Sequence, residues 1–209
     1  MESEFLFELE RTYKKCADWK LHDEHRQLLN ELCYMELTKE IIDFLCEKIV
    51  SKKHFWDVRF EYLRVLIVNP SSIKFELKDF YLGALKRNRR MAMKIFFIRG
   101  YASYATEEEL TPIIKKFIQS LYKTMDDTDW NYVISNPGLP YLVNTYKYDC
   151  LKEVFEIAKT EYNKVKLPFK GIYTLDEQLN QVITISADEY RDRLNELENE
   201  LSKDYEGKL

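Results

Sequence analysis

Residues 55–67 read Phe55-Trp56-Asp57-Val58-Arg59-Phe60-Glu61-Tyr62-Leu63-Arg64-Val65-Leu66-Ile67, and residues 91–98 read Met91-Ala92-Met93-Lys94-Ile95-Phe96-Phe97-Ile98. Both runs are apolar on most sides, a pattern that fits a buried strand or a buried helix. Their flanks decide: helical patterning continues for about ten residues around each run, so both read as helices. A helix apolar all round lies between layers, which makes these two central and places Trp56 and Phe60 in the core. Working outward, Leu28, Leu29, Leu32 and Cys33 form a stripe at three- and four-residue spacing. Ile41, Ile42, Leu45, Cys46, Ile49 and Val50 form another, and Ile113, Ile114, Phe117, Ile118, Leu121 and Tyr122 a third. Each predicts a helix with one buried face.

Start signals agree with the stripes. Asp23 and Thr38 are candidate N-caps, Thr106 with Glu109 makes a capping box, and Thr111-Pro112 puts proline where a helix can begin. At an offset of 35 residues Val58-Arg59 falls on Met93-Lys94, Leu63 on Ile98 and Arg64 on Arg99. Two helices per unit with a period in this range is the pattern of an α-solenoid. The Asp57-Val58-Arg59-x-x-x-Leu63 run resembles the second helix of a HEAT-type repeat over roughly residues 20–125. The second copy departs from it, with Ala92 where the repeat carries Asp. The resemblance implies antiparallel helical repeats.

Beyond the repeats the chain changes character. Residues 125–141 (MDDTDWNYVISNPGLPY) are rich in turn formers, with Asn136-Pro137-Gly138 a break, and they read as an exposed loop joining two helical blocks. A helix resumes with Leu151, Val154, Phe155 and Ala158, and Pro168 and Gly171 close it. Ile172–Leu175 and Val182–Ile185 flank DEQLNQ as a small β-hairpin, and Ser186 with Glu189 caps a last helix carrying Tyr190, Leu194, Leu197 and Leu201. The expected architecture is all-α: a HEAT-like helical-repeat domain over 1–165, and a hairpin-and-helix appendage over 166–209.

Composition sets the class. In 209 residues, 45% hydrophobic and 33% charged is a globular balance, and 5 Gly with 5 Pro are too few for an all-β chain. A net charge of -4 argues against a dedicated nucleic-acid binder. Cys16, Cys33, Cys46 and Cys150 form no C-x-x-C pair and read as buried, reduced thiols. The start MESEFLFELE lacks the features of a secretion signal, and no apolar stretch reaches the roughly 18–20 residues of a membrane span, so a cytoplasmic location is expected.

Nothing in the chain specifies a reaction. Nucleophile-elbow, P-loop and dinucleotide fingerprints are missing, so no enzyme and no cofactor are expected. His22-Asp23-Glu24-His25 places two histidines three apart, but a zinc site needs about four ligands, and the segment reads as an exposed helix start. The sharpest basic feature is Arg87, Arg89, Arg90 and Lys94, with Lys86 and Arg99, interleaved with Met91, Phe96 and Phe97. It suits a groove tracking a phosphate backbone, as in helical-repeat proteins of the alkylpurine-glycosylase type; otherwise it is an exposed turn, with Arg99 paired to a carboxylate. The opposite feature is acidic: Asp126, Asp127 and Asp129 beside Trp130 and Tyr132, which together suit docking of a basic protein.

Three functions follow from these features. The chain is expected to be a non-catalytic protein-binding module, most concretely similar in outline to cytoplasmic immunity proteins that block a secreted toxin domain. The alternatives are a helical-repeat nucleic-acid-binding or repair-like protein resting on the basic run, and a general scaffold. The 126–132 segment is the expected partner surface, and no metal site is assigned.

Overall fold

A computed structural model describes residues 2–68, 73, 75–124, 127–135, 137–164, 172–176 and 181–185. The described elements are α1 (Glu2–Tyr13), α2 (Asp23–Leu32), α3 (Lys39–Val50), α4 (Trp56–Val68), α5 (Lys78–Arg87), α6 (Met91–Ala102), α7 (Glu107–Thr124), α8 (Asp127–Ile134), α9 (Leu139–Tyr146) and α10 (Asp149–Lys164). The chain divides into two compact units, Met1–Ala158 and Lys159–Leu209. In the second, β1 (Ile172–Asp176) pairs antiparallel with β2 (Gln181–Ile185), Ile172 opposite Ile185. The last helix expected from Ser186 lies outside the described residues.

Local chemistry explains the helix starts. Thr38 accepts a hydrogen bond from the Ile41 N–H (3.4 Å) and opens α3, whose Ile41, Ile42, Leu45 and Ile49 are then buried. The capping box forms: the Thr106 N–H donates to the Glu109 carboxylate (3.0 Å), and the Glu109 N–H to the Thr106 hydroxyl (3.3 Å). With that start at Glu107, Pro112 lies inside α7 and does not begin a helix. The Thr111 hydroxyl donates to the Glu107 carbonyl there (2.7 Å). Asp23 is the first helical residue of α2 and not its cap, which is His22.

Helix α6 is the centre of the first unit. It packs on α4, α5, α7, α8 and α9, and Met91–Met93, Ile95–Ile98 and Tyr101 are all buried. Each such large side chain contributes about 1.5–3 kcal/mol. Consecutive helices pair, α3 with α4 and α5 with α6, and α4 lies against both α2 and α6. Close approach of α5 and α6 depends on Gly100, where a Cβ would come within 2.3 Å of the Tyr81 ring. Helix α4 is less enclosed than its composition implies. Val58, Tyr62, Leu63 and Val65–Ile67 are buried, but Trp56 and Phe60 are half-buried. They lie in an aromatic cluster at the edge of the core, Phe60 against Phe96 (4.5 Å between centroids) and Trp56 against Tyr132 (5.6 Å).

The largest correction concerns residues 127–134, which are helical and not a loop. Trp130, Val133 and Ile134 recur at helical spacing and give α8 a fully buried stripe. Gly138 then brings the chain back over α8 so closely that a Cβ would lie 2.3 Å from the Tyr132 carbonyl oxygen. Among the described residues no helix is long and apolar enough to cross a membrane. Three cysteines are buried and Cys46 is half-buried; all four are free thiols.

Candidate functional site

Two residues of the acidic candidate, Asp129 and Trp130, are buried. Asp129 is 2% exposed and Trp130 3%, so neither meets a partner on the surface of the folded chain. The Asp129 carboxylate accepts from the Ala92 N–H (2.8 Å), one of the unpaired amides at the α6 N-terminus, and lies 3.2 Å from Arg90 Nε. Tyr132 is half-buried in the cluster with Trp56, Phe60 and Phe96. Asp126 lies outside the described residues; Asp127 opens α8, and nothing of its side chain is described. The two rival candidate sites thus meet in one ion pair, Arg90 with Asp129.

The basic candidate gathers into a groove. A cavity of about 450 Å3 lies between the α3–α4 link and the α5–α6 link, bordered by Lys52, Trp56, Arg59, Arg87, Arg89 and Arg90. No carboxylate is among its lining residues. The α8 ion pair fixes its back wall: Arg90, held by Asp129, stacks 4.9 Å from the Trp56 ring, and its N–H donates to Asn88 Oδ1 (3.0 Å). Arg59 Nε donates to the Ile49 carbonyl (2.7 Å), and Arg87 Nε to the Gly83 carbonyl (3.0 Å). Those bonds aim the guanidinium groups without neutralising them. Burial pushes Arg59 below its ordinary value, and among the described residues it is in no ion pair. A half-buried cation without a counter-charge is costly in isolation, and an arriving anion relieves that cost.

Lys94 parts from the other three basic residues. It lines a second groove of about 480 Å3 with Lys86 and Lys116, over an apolar floor of Leu82, Leu85 and Phe117. Among the described residues Arg99 is not paired with a carboxylate: it donates to the carbonyls of Pro137 (3.3 Å) and Ile67 (3.4 Å), and stacks on Tyr141. Sequence reasoning missed Lys52 and Arg59. A signal was present for Lys52, which the 35-residue offset sets on Arg87; Arg59 falls on Lys94, which lines the other groove.

Two of the three histidines, His25 and His54, are committed to structure. His25 is fully buried and not on an exposed helix start. Its Nδ1 is 2.7 Å from the Thr12 hydroxyl, which donates to the Glu8 carbonyl (2.7 Å). Thr12 therefore accepts from Nδ1–H, and Tyr62 donates to Nε2 (3.0 Å). Burial, aided by the other histidines and Lys48, pushes His25 down to about 4, so it is neutral. His54 is held by the Tyr13 hydroxyl (2.8 Å). Among the described residues no group of three or more His, Cys, Asp or Glu is placed to hold a metal ion. No family model matches this chain, and neither a curated protein nor a solved structure does. The groove is thus bordered by Lys52, Arg59, Arg87 and Arg89, by Arg90 in its ion pair with Asp129, and by the indole of Trp56.

Proposed function

We propose that this chain is a non-catalytic binding module built from HEAT-like helical repeats, and that it holds an anionic partner in the groove of Lys52, Arg59, Arg87 and Arg89. Three features support the repeat reading: the α3–α4 and α5–α6 pairs, the packing of α4 on α6, and the 35-residue offset relating α4 to α6. The observation that carries the ligand reading is Arg59, a half-buried guanidinium facing a groove whose charged lining residues are all cations. No carboxylate there is available as a general base, which favours binding over the repair-enzyme alternative. Tripolyphosphate is a suitable probe, because a ligand that binds only the folded state raises its stability with concentration. The melting temperature should rise with added tripolyphosphate, and Arg87→Glu with Arg89→Glu should abolish the rise. An unchanged melting temperature at saturating probe sinks the proposal.

A second reading keeps the protein-blocking role of an immunity protein on a different surface. Large apolar side chains stand exposed away from the groove, Tyr34 at 86% and Phe7 at 62%. Isolated exposed apolar residues are ordinary, so this reading depends on their being covered by a partner. If the product of the upstream gene is a toxin domain, Tyr34→Ala should speed its dissociation; unchanged kinetics would remove this face from consideration.

A further inference from the structure

The groove is one part of a longer feature. The α1–α2 and α3–α4 links are neighbours, joined by the Phe55 N–H donating to the Asp18 carbonyl (2.9 Å), and the groove joins the α3–α4 link to the α5–α6 link. Three successive links therefore lie along one edge of the first unit, as antiparallel helical pairs require. That edge carries exposed cations at every step: Lys14 and Lys20, then Lys52, then Arg87 and Arg89. None of these five is in an ion pair among the described residues. Asp18, Asp23 and Asp57 share the edge, while Glu24 is taken by Arg11 and Lys15.

Two aromatic rings stand out between those cations. Trp19 and Phe55 are each 62% exposed, one on the first link and one on the second. On the opposite edge Tyr104 donates to the Phe75 carbonyl (3.3 Å) and Lys78 pairs with Glu109 (2.7 Å), bringing the α4–α5 and α6–α7 links together. Glu36, Glu76 and Glu107–Glu109 stand along that edge. On the first edge the five cations outnumber the three aspartates, although the chain as a whole carries a net charge of -4.

We infer that the basic edge binds single-stranded nucleic acid, with its phosphates on the five cations and its bases stacked on Trp19 and Phe55. This rests on the anion-binding reading of the groove and extends it across three links. Cations alone would serve an acidic peptide equally well. Exposed rings alternating with cations match an unpaired strand, in which phosphates and base faces alternate and both are accessible. A duplex hides its base faces and leaves the two rings without a partner. With helices about 8–10 Å apart, three links span roughly 20 Å, enough for a few nucleotides.

The test uses fluorescence anisotropy of the whole chain with labelled oligothymidylate and oligouridylate of about 12 nucleotides, the matching duplex, and an oligoglutamate peptide. Both single strands should bind in low salt, with DNA and RNA distinguished by their relative affinities. A log–log salt slope of about -3.5 is expected, from five phosphates at about -0.7 each. Lys52→Glu with Arg87→Glu and Arg89→Glu should reduce the slope to about -1.4 and weaken binding more than about tenfold. Trp19→Ala with Phe55→Ala should weaken binding at least about fivefold and leave the slope unchanged, with the melting temperature preserved. Equal or tighter binding of duplex or oligoglutamate, or no effect of the aromatic pair, overturns the single-strand inference. If tripolyphosphate still stabilises the protein through Arg87 and Arg89, the groove reading survives that result. If tripolyphosphate has no effect either, both fall.

Discussion

The dipeptide Asp-Trp occurs twice, and the two copies have opposite fates. Asp18-Trp19 lies on the α1–α2 link with both side chains exposed, Trp19 at 62%; Asp129-Trp130 lies in α8 with neither above 3%. Composition around the two is similar, since each stands in a polar, charged stretch. What differs is the following turn of chain. Val133 and Ile134 continue the apolar stripe begun by Trp130, whereas Lys20 follows Trp19 and the next apolar residue, Leu21, is buried on its own. Asp129 also finds a use inside the protein, because α6 presents an unpaired N–H and Arg90 a cation. A carboxylate beside an aromatic is therefore a docking surface only where the fold offers neither a neighbour for the ring nor a donor for the acid.

The sharpest way to break this contrast is to truncate both tryptophans. Trp130→Ala should cost about 3–5 kcal/mol in urea unfolding, and Trp19→Ala within about 0.5 kcal/mol of nothing. Similar costs for the two would show that α8 does not pack as described. Next in size is a comparison of two histidines three residues apart, exposed His22 and buried His25. The unfolded chain takes up a proton on His25 below pH 6.5, which the folded chain resists until about pH 4. Stability from this group is thus full above pH 6.5 and lost as pH falls toward 4, about 3 kcal/mol in all. His54, also lowered by burial, adds in the same direction. Unfolding free energies that do not change between pH 7 and 5 would contradict the burial of His25. The smallest effect separates the two aspartates: Asp129→Ala should cost about 2 kcal/mol through its bonds to Ala92 and Arg90, and Asp18→Ala almost nothing. A double-mutant cycle with Arg90→Ala measures how much of that cost is the ion pair.

Burial also reverses the weight given to net charge. A value of -4 describes the whole chain, but a ligand meets one edge at a time, and screening limits its view to about 8–10 Å. The basic edge was within reach of sequence reasoning. Lys14 and Lys20, Lys52, and Arg89 fall in alternate helix links, with Arg87 at the end of α5 beside the last of them, and alternate links of antiparallel helices share an edge. Reading the basic run only as consecutive residues grouped Lys94 with the arginines, although Lys94 is a turn into α6 and faces another groove.

By itself the sequence determined what depends on near neighbours in the chain. Helical periodicity, the Thr38 cap, the Thr106–Glu109 box and the enclosure of Met91–Ile98 are all set within one or two turns of the residue concerned, so they could be read without coordinates. Tertiary structure alone decided which polar groups are spent inside and which remain exposed. Asp129 meets Ala92 across 37 residues, Tyr62 meets His25 across 37, and Tyr13 meets His54 across 41. No local pattern encodes those meetings. They arise because packing leaves particular donors and acceptors buried together, where each must find a partner, and Arg59 is left facing a groove with no ion pair among the described residues.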